Sequence, residues 1–167
     1  MTTHTELCCI AADWLKRGAV FVDCMGARRR CKCTLVAVEV TTWDPEQPDA
    51  IGWVSDRSIL VECKTSRSDF LSDKRKPFRI VGGMGDYRYY MAPKGIIGAS
   101  DLPDGWGLIE VSDAGKCRCV VPATKQPDTN FDGERRLLIS VTHRLAPQDN
   151  YAPKTVYGSR ATRRASK

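Results

Sequence analysis

No stretch of this chain is apolar over the roughly 20 residues that a helix needs to cross a bilayer. Its first residues also lack the charged-then-apolar pattern of a secretory signal, so an intracellular protein with no membrane association is expected. Histidine is scarce: His4 and His143 stand alone in the sequence, and neither is assigned to a metal. Cysteine is plentiful, at Cys8, Cys9, Cys24, Cys31, Cys33, Cys63, Cys117 and Cys119, yet no pair has the C-x-x-C spacing of a zinc ribbon or finger. Without a secretory signal a disulfide framework is not expected either. Each C-x-C pair fits strand alternation, with two small apolar side chains on an inner face, and a four-thiolate zinc site is the competing reading. The glycine run Gly82-Gly83-Met84-Gly85 is followed by no Gly-Lys-Ser/Thr, which makes it a flexible turn and not a phosphate-cradling loop.

What is present describes one domain with a real core. The chain has 167 residues, 42% hydrophobic and 28% charged, too few for two comfortable domains. Its net charge of +6 is unevenly spread. From Pro147 onward Lys154, Arg160, Arg163, Arg164 and Lys167 face only Asp149, so residues 147–167 read as a basic, flexible tail on a mildly basic domain of residues 1–146. Any case for nucleic acid therefore rests on clusters of basic residues and not on bulk charge.

Thr3-His4-Thr5-Glu6 is a capping-box pattern, and Leu7, Ile10, Ala11, Trp14 and Leu15 recur at helical spacing, which predicts a helix over residues 4–17. A short strand follows over residues 19–22, then a loop from Cys24 to Cys33 that crowds Arg28, Arg29, Arg30 and Lys32 together, suited to phosphate contact. Residues 35–42 alternate as a strand, with Glu39 on the face of Leu35 and Ala37. Ser66 or Thr65 caps a second helix whose Phe70 and Leu71 face inward and which Pro77 stops; Lys74 and Arg75 lie near its end. A strand over residues 87–92 follows. Next come a hairpin of residues 106–111 and 116–121 with Cys117 and Cys119 inside, and a last helix over residues 132–145 with Leu137, Leu138, Val141 and Leu145 as its stripe.

The chemistry concentrates between Pro48 and Phe70. An apolar run, Ile59-Leu60-Val61, ends in Glu62-Cys63-Lys64, and period-two alternation puts Glu62 and Lys64 on one face. If Asp49 opens the antiparallel neighbour, with a turn near Ser55-Asp56-Arg57, the two carboxylates lie side by side. Two hard oxygen donors and a strand carbonyl, that of Cys63, suit a divalent ion that keeps several waters, and such an ion offsets the repulsion between the acids. Lys64 is then placed to orient or deprotonate the attacking water, or to offset charge on a phosphate.

Pro48-Asp49 followed by Glu62-x-Lys64 after an apolar strand resembles the PD-(D/E)XK nuclease superfamily. Thr65-Ser66-Arg67-Ser68-Asp69-Phe70-Leu71, Asp86-Tyr87-Arg88-Tyr89-Tyr90 and Trp106-Gly107-Leu108-Ile109 resemble, more narrowly, the MmcB-type DNA-repair nucleases and their phage relatives. The likeness covers about residues 1–121. It implies an α/β fold with a restriction-endonuclease-like core, a mixed central sheet flanked by helices. It also implies an Mg²⁺- or Mn²⁺-dependent DNA endonuclease, a deoxyribonuclease of DNA repair, recombination or phage DNA processing, in the cytoplasm of a bacterial or phage-infected host cell, with a homodimer or a repair-complex partner as its assembly. Asp49, Glu62 and Lys64 are the catalytic candidates, and Asp49, Glu62 and the Cys63 carbonyl the metal ligands. Glu6 and Glu39 are possible additional acids, and Arg28, Arg29, Arg30, Lys32, Arg67, Ser68, Lys74 and Arg75 the DNA contacts. A catalytically inactive nucleic-acid-binding or repair-complex subunit on the same fold is the alternative.

Overall fold

In the computed structural model residues 2–145 are described; the basic tail expected from Pro147 lies outside them. Thr3 caps helix α1 (His4–Gly18) as its sequence requires: the Thr3 hydroxyl accepts the Glu6 N–H, and the Glu6 carboxylate accepts the Thr3 N–H. The chain continues through β1 (Ala19–Val22), β2 (Arg28–Cys31), β3 (Leu35–Val38), β4 (Ala50–Val54) and β5 (Arg57–Cys63). Helices α2 (Arg67–Asp73) and α3 (Pro77–Ile80) then lead to β6 (Tyr87–Pro93), β7 (Gly107–Val111), β8 (Cys117–Val121), β9 (Ala123–Thr124) and α4 (Phe131–Leu145).

Six strands form a central sheet in the order β3-β4-β5-β6-β7-β8, parallel where β6 meets β5 and β7 and antiparallel elsewhere. Both faces are covered, so the middle strand β5 reads as an apolar run. Ile59, Val61 and Cys63 pack with Leu7, Cys8 and Leu15 of α1. On the opposite face Leu60 and Tyr90 pack with Phe70 of α2 and with Leu137 and Val141 of α4. This is the α/β class with a mixed, helix-flanked sheet that the sequence led us to expect. A second sheet, β2-β1-β9, sits on the α1 side.

Several local expectations need correction. The arginine run is not a loop: Arg28–Cys31 is strand β2, paired with β1 from Val22↔Arg28 to Ala19↔Cys31. Strand β3 stops at Val38, because Glu39 takes a positive φ of 48° and breaks the alternation. In α2 the inward residues are Phe70 and Asp73, three apart, which turns Leu71 outward. Pro77 opens α3 at its first turn, where a missing N–H costs nothing. In the edge strand β8 Cys117 is exposed and Cys119 half-buried, and at the end of α4 Leu145 is exposed. The glycine-rich turn is held tightly: Arg88 donates to the Met84 and Gly85 carbonyls, while Glu134 and Glu46 accept the Gly85 and Met84 N–H groups.

Tyr89 locks the small sheet to the large one. Its ring lies across Gly107, where a Cβ would come within 2.2 Å of it, and its hydroxyl donates to the Val20 carbonyl and accepts the Ala123 N–H at 2.8 Å. Tyr89→Phe leaves both buried backbone groups unpartnered, and is expected to cost about 1–3 kcal/mol in denaturant unfolding. An unchanged midpoint would mean that apolar contact alone holds the two sheets together.

Candidate active site

The β4–β5 hairpin brings the acids together. Its register, Ala50↔Val61, continued by one residue sets Asp49 opposite Glu62, and cross-strand partners point to the same side. The hairpin closes through Ser55-Asp56, with Ser55 at a positive φ of 51°. Asp49 Oδ2 accepts the Cys63 N–H at 2.7 Å. A strand residue's N–H and C=O point the same way, so the Cys63 carbonyl projects to that edge as well. Lys64 Nζ lies 3.2 Å from Glu62 Oε2 and 3.8 Å from Asp49 Oδ2, so one ammonium touches both carboxylates. The three residues that the sequence singled out therefore form one cluster at the sheet's end.

The same centre holds groups that the sequence did not reveal. Asp73, at the end of α2, lies 3.5 Å from Lys64 Nζ and 2.8 Å from Lys76 Nζ. Arg79 of α3 is buried against Glu46 at 2.6 Å, Glu62 Oε2 at 2.7 Å and Asp73 at 2.8 Å. Tyr90 adds a hydroxyl donated to Asp73 Oδ2 at 3.1 Å. Asp73 could have been found as the residue one helical turn beyond Phe70. Arg79 and Glu46 carry no sequence signal, since one sits in a four-residue helix and the other in a Pro-flanked loop.

Within this cluster Glu46, Asp49, Glu62 and Asp73 face Lys64, Arg79 and the half-exposed Lys76, an excess of one negative charge. Glu62 responds most strongly. Burial pushes its carboxyl up to about 7, against the opposing pull of Arg79 and Lys64. Its Oε1 is buried and has no hydrogen-bond partner among the described residues. A divalent cation fits this donor set: an orphaned anionic oxygen, a second carboxylate beside it and a nearby strand carbonyl. Asp73 behaves oppositely: burial alone would raise its carboxyl, but Arg79 and Lys64 hold it well below the ordinary range. Burial alone would lower the Lys64 ammonium, and Glu62, Asp73 and Asp49 more than reverse this, so Lys64 is raised and cationic at neutral pH.

The other candidates are dispersed. Glu39 lies at the rim, its Oε1 3.7 Å from His4 Nε2. Glu6 is not brought to the centre: it caps α1 and lines a cleft with Asp113 and Gly115, on the helix face away from His4 and Cys8. Arg67 is bound bidentately by Asp101 at 2.7 and 2.8 Å, and Lys74 Nζ donates to the Asp101 carbonyl at 2.7 Å. Ser68 and Arg75 are exposed beside them, on the segment that follows Lys64. Arg28, Arg29, Arg30 and Lys32 lie elsewhere. Arg30 covers Gly18, the last residue of α1, about 21 Å along the helix from His4. There it lines a groove of about 480 Å³ with Asp13, Trp14, Arg17 and Lys116 that holds none of the clustered acids. Arg29 is paired with Asp23 at 2.6 Å.

By its fold the chain is a mixed α/β protein with a central six-stranded sheet flanked by helices. It is similar to a solved protein of unknown function from Silicibacter pomeroyi, with a TM-score of 0.50 and 22% sequence identity, covering 66% of this chain and 76% of that one. A likeness at that level is one of architecture. No protein-family model and no curated protein matches the chain. Among the described residues no helix is long and apolar enough to cross a membrane.

Glu62 gives the metal-free protein a specific pH dependence. Between pH 4.5 and about 7 the native state keeps a proton that the unfolded chain gives up, so stability falls as pH rises through that window. The full effect is about 3 kcal/mol, and Glu62→Gln is expected to remove most of the decline in denaturant melts run in chelator. The raised Glu46 carboxyl leaves a smaller slope of the same sign. Parallel profiles for the two proteins would show that Glu62 is ionised throughout.

Proposed function

We propose that this chain is an Mg²⁺- or Mn²⁺-dependent nuclease that hydrolyses DNA phosphodiester bonds, with a site of the PD-(D/E)XK kind. The observation that carries the reading is the buried, partnerless Oε1 of Glu62 beside Asp49 and Lys64, in a cluster one positive charge short of neutrality. A divalent cation bound there supplies a Lewis acid for the phosphoryl oxygens. Asp49 and Glu62 would hold it, with the Cys63 carbonyl at the same edge. Lys64, already cationic, is not a base in the resting protein. Its role is to set positive charge at Nζ against the phosphate oxygens as water attacks phosphorus and the P–O bond to the leaving oxygen breaks. Ser68 and Arg75 are exposed on the segment that follows Lys64 and would meet the DNA backbone, while Arg67 and Lys74 must share themselves with Asp101.

One observation favours a second reading. Arg79 touches Glu62 at 2.7 Å, and a guanidinium that permanently neutralises this acid would leave a DNA-binding or repair-complex subunit without hydrolysis. Nicking of supercoiled plasmid with and without Mg²⁺ separates the two. Asp49→Asn is expected to abolish divalent-dependent nicking while DNA binding persists or improves. Lys64→Ala is expected to keep metal binding and lose ~100-fold or more of the cleavage rate. Absence of nicking by the parent protein across duplex, single-stranded, flap and branched DNA would favour the inactive subunit. Nicking unchanged in both variants would move the active site elsewhere.

A further inference from the structure

On the α1 side of the sheet a second donor set meets Asp49. His4 and Cys8, four residues apart on α1, share a helix face, and His4 Nε2 lies 3.4 Å from Cys8 Sγ and 3.4 Å from Asp49 Oδ1. The nitrogen, the sulfur and an Asp49 carboxylate oxygen all fall within 4.8 Å of one another. Glu39 Oε1 stands 3.7 Å from the same nitrogen. The two spacings from His4 Nε2, to Cys8 Sγ and to Asp49 Oδ1, match the edges of a tetrahedral zinc centre. With Zn–S of about 2.3 Å and Zn–N and Zn–O of about 2.0 Å, the polyhedron's N···S and N···O edges are about 3.5 and 3.3 Å.

From this geometry we infer a Zn²⁺ site formed by His4, Cys8 and Asp49, with Glu39 or water as fourth ligand. The site rests on its own geometry and does not depend on the hydrolytic reading. A thiolate and an imidazole select a borderline metal over Mg²⁺, which prefers oxygen alone. Binding breaks the Cys8 S–H bond: the proton leaves to solvent and the sulfur lone pair goes to the metal. Access is from the solvent side, because His4 and Glu39 are each about half exposed while Cys8 lies beneath them, buried against the core. Glu39 is held at this rim in a left-handed backbone conformation that charged residues rarely adopt, with its N–H bonded to the Asp49 carbonyl at 3.0 Å. Asp49 thus offers Oδ1 to the zinc side, while its Oδ2 bonds the Cys63 N–H beside Lys64 and Glu62. A carboxylate shared in this way couples the two cations: zinc at His4 and Cys8 draws on the same acid that the hydrolytic centre uses.

The test is metal binding by the full-length reduced protein after chelator stripping. Zn²⁺ is titrated against a chromophoric chelator, and Co²⁺ serves as the spectroscopic probe. One equivalent of Zn²⁺ is expected, together with a near-ultraviolet thiolate-to-Co²⁺ charge-transfer band. Losing a group that merely supports a ligand costs ~10–100-fold in affinity, so Cys8→Ser should weaken Zn²⁺ binding by at least ~100-fold and remove the band. His4→Gln, at an exposed position that burdens the fold little, should weaken binding comparably while the band shifts or fades. Failure of the parent protein to bind Zn²⁺ would overturn the assignment. So would Zn²⁺ affinity and a Co²⁺ band that both variants retain, since the metal would then sit on other cysteines.

Discussion

A buried guanidinium organises the business end of this molecule. Arg79 is almost wholly excluded from solvent and meets Glu46, Glu62 and Asp73, which come from the loop before β4, the end of β5 and the end of α2. Stripping a buried charge of its partner costs ~3–5 kcal/mol, so the loop before β4, the end of β5 and the α2–α3 segment are tied to one point. The tie is incomplete in one direction only. Arg79 and Lys64 both approach Glu62 through Oε2, and Oε1 is left bare. The same packing that fixes the acid therefore leaves it needing a proton or a cation.

The hairpin that presents Asp49 to Glu62 was legible because strand alternation and a short turn fix register without tertiary information, and the capping box of α1 was legible for a similar local reason. Asp73 lies within reach of helical spacing from Phe70, and His4, read as an isolated histidine, within reach of it from Cys8. Arg79 and Glu46 were not legible at all. Their roles arise from long-range packing of a short helix against a proline-flanked loop, and neither segment has a periodicity to read. The arginine run of β2 shows the opposite failure. Residues 28–30 look like a phosphate-tracking loop until pairing with β1 carries them to the far end of α1.

A second buried network holds the other end of β5. Glu134 of α4 accepts from Trp53, the Ser58 hydroxyl and the Gly85 N–H, while Asp86 accepts from the Ser58 N–H. Glu134 is engaged by neutral donors, Asp86 also meets the Lys125 ammonium at 3.7 Å, and no orphaned oxygen is found on either acid among the described residues. Both ends of the strand thus carry buried carboxylates, yet only the Glu62 end combines uncompensated charge, an unpartnered oxygen and an amine. Function is assigned to that end by what is left unsatisfied there, and the strand's geometry alone would not discriminate between them.

The most direct measurement is calorimetric binding of Mn²⁺ to the DNA-free protein at pH 7, in buffers of different ionisation enthalpy. If Glu62 takes the cation through its bare oxygen, metal competes with a proton on a group titrating near 7, and about half a proton should leave per ion bound. Glu62→Gln should weaken binding and eliminate that release. Binding with no buffer dependence and no loss in Glu62→Gln would contradict a cation site at the end of β5.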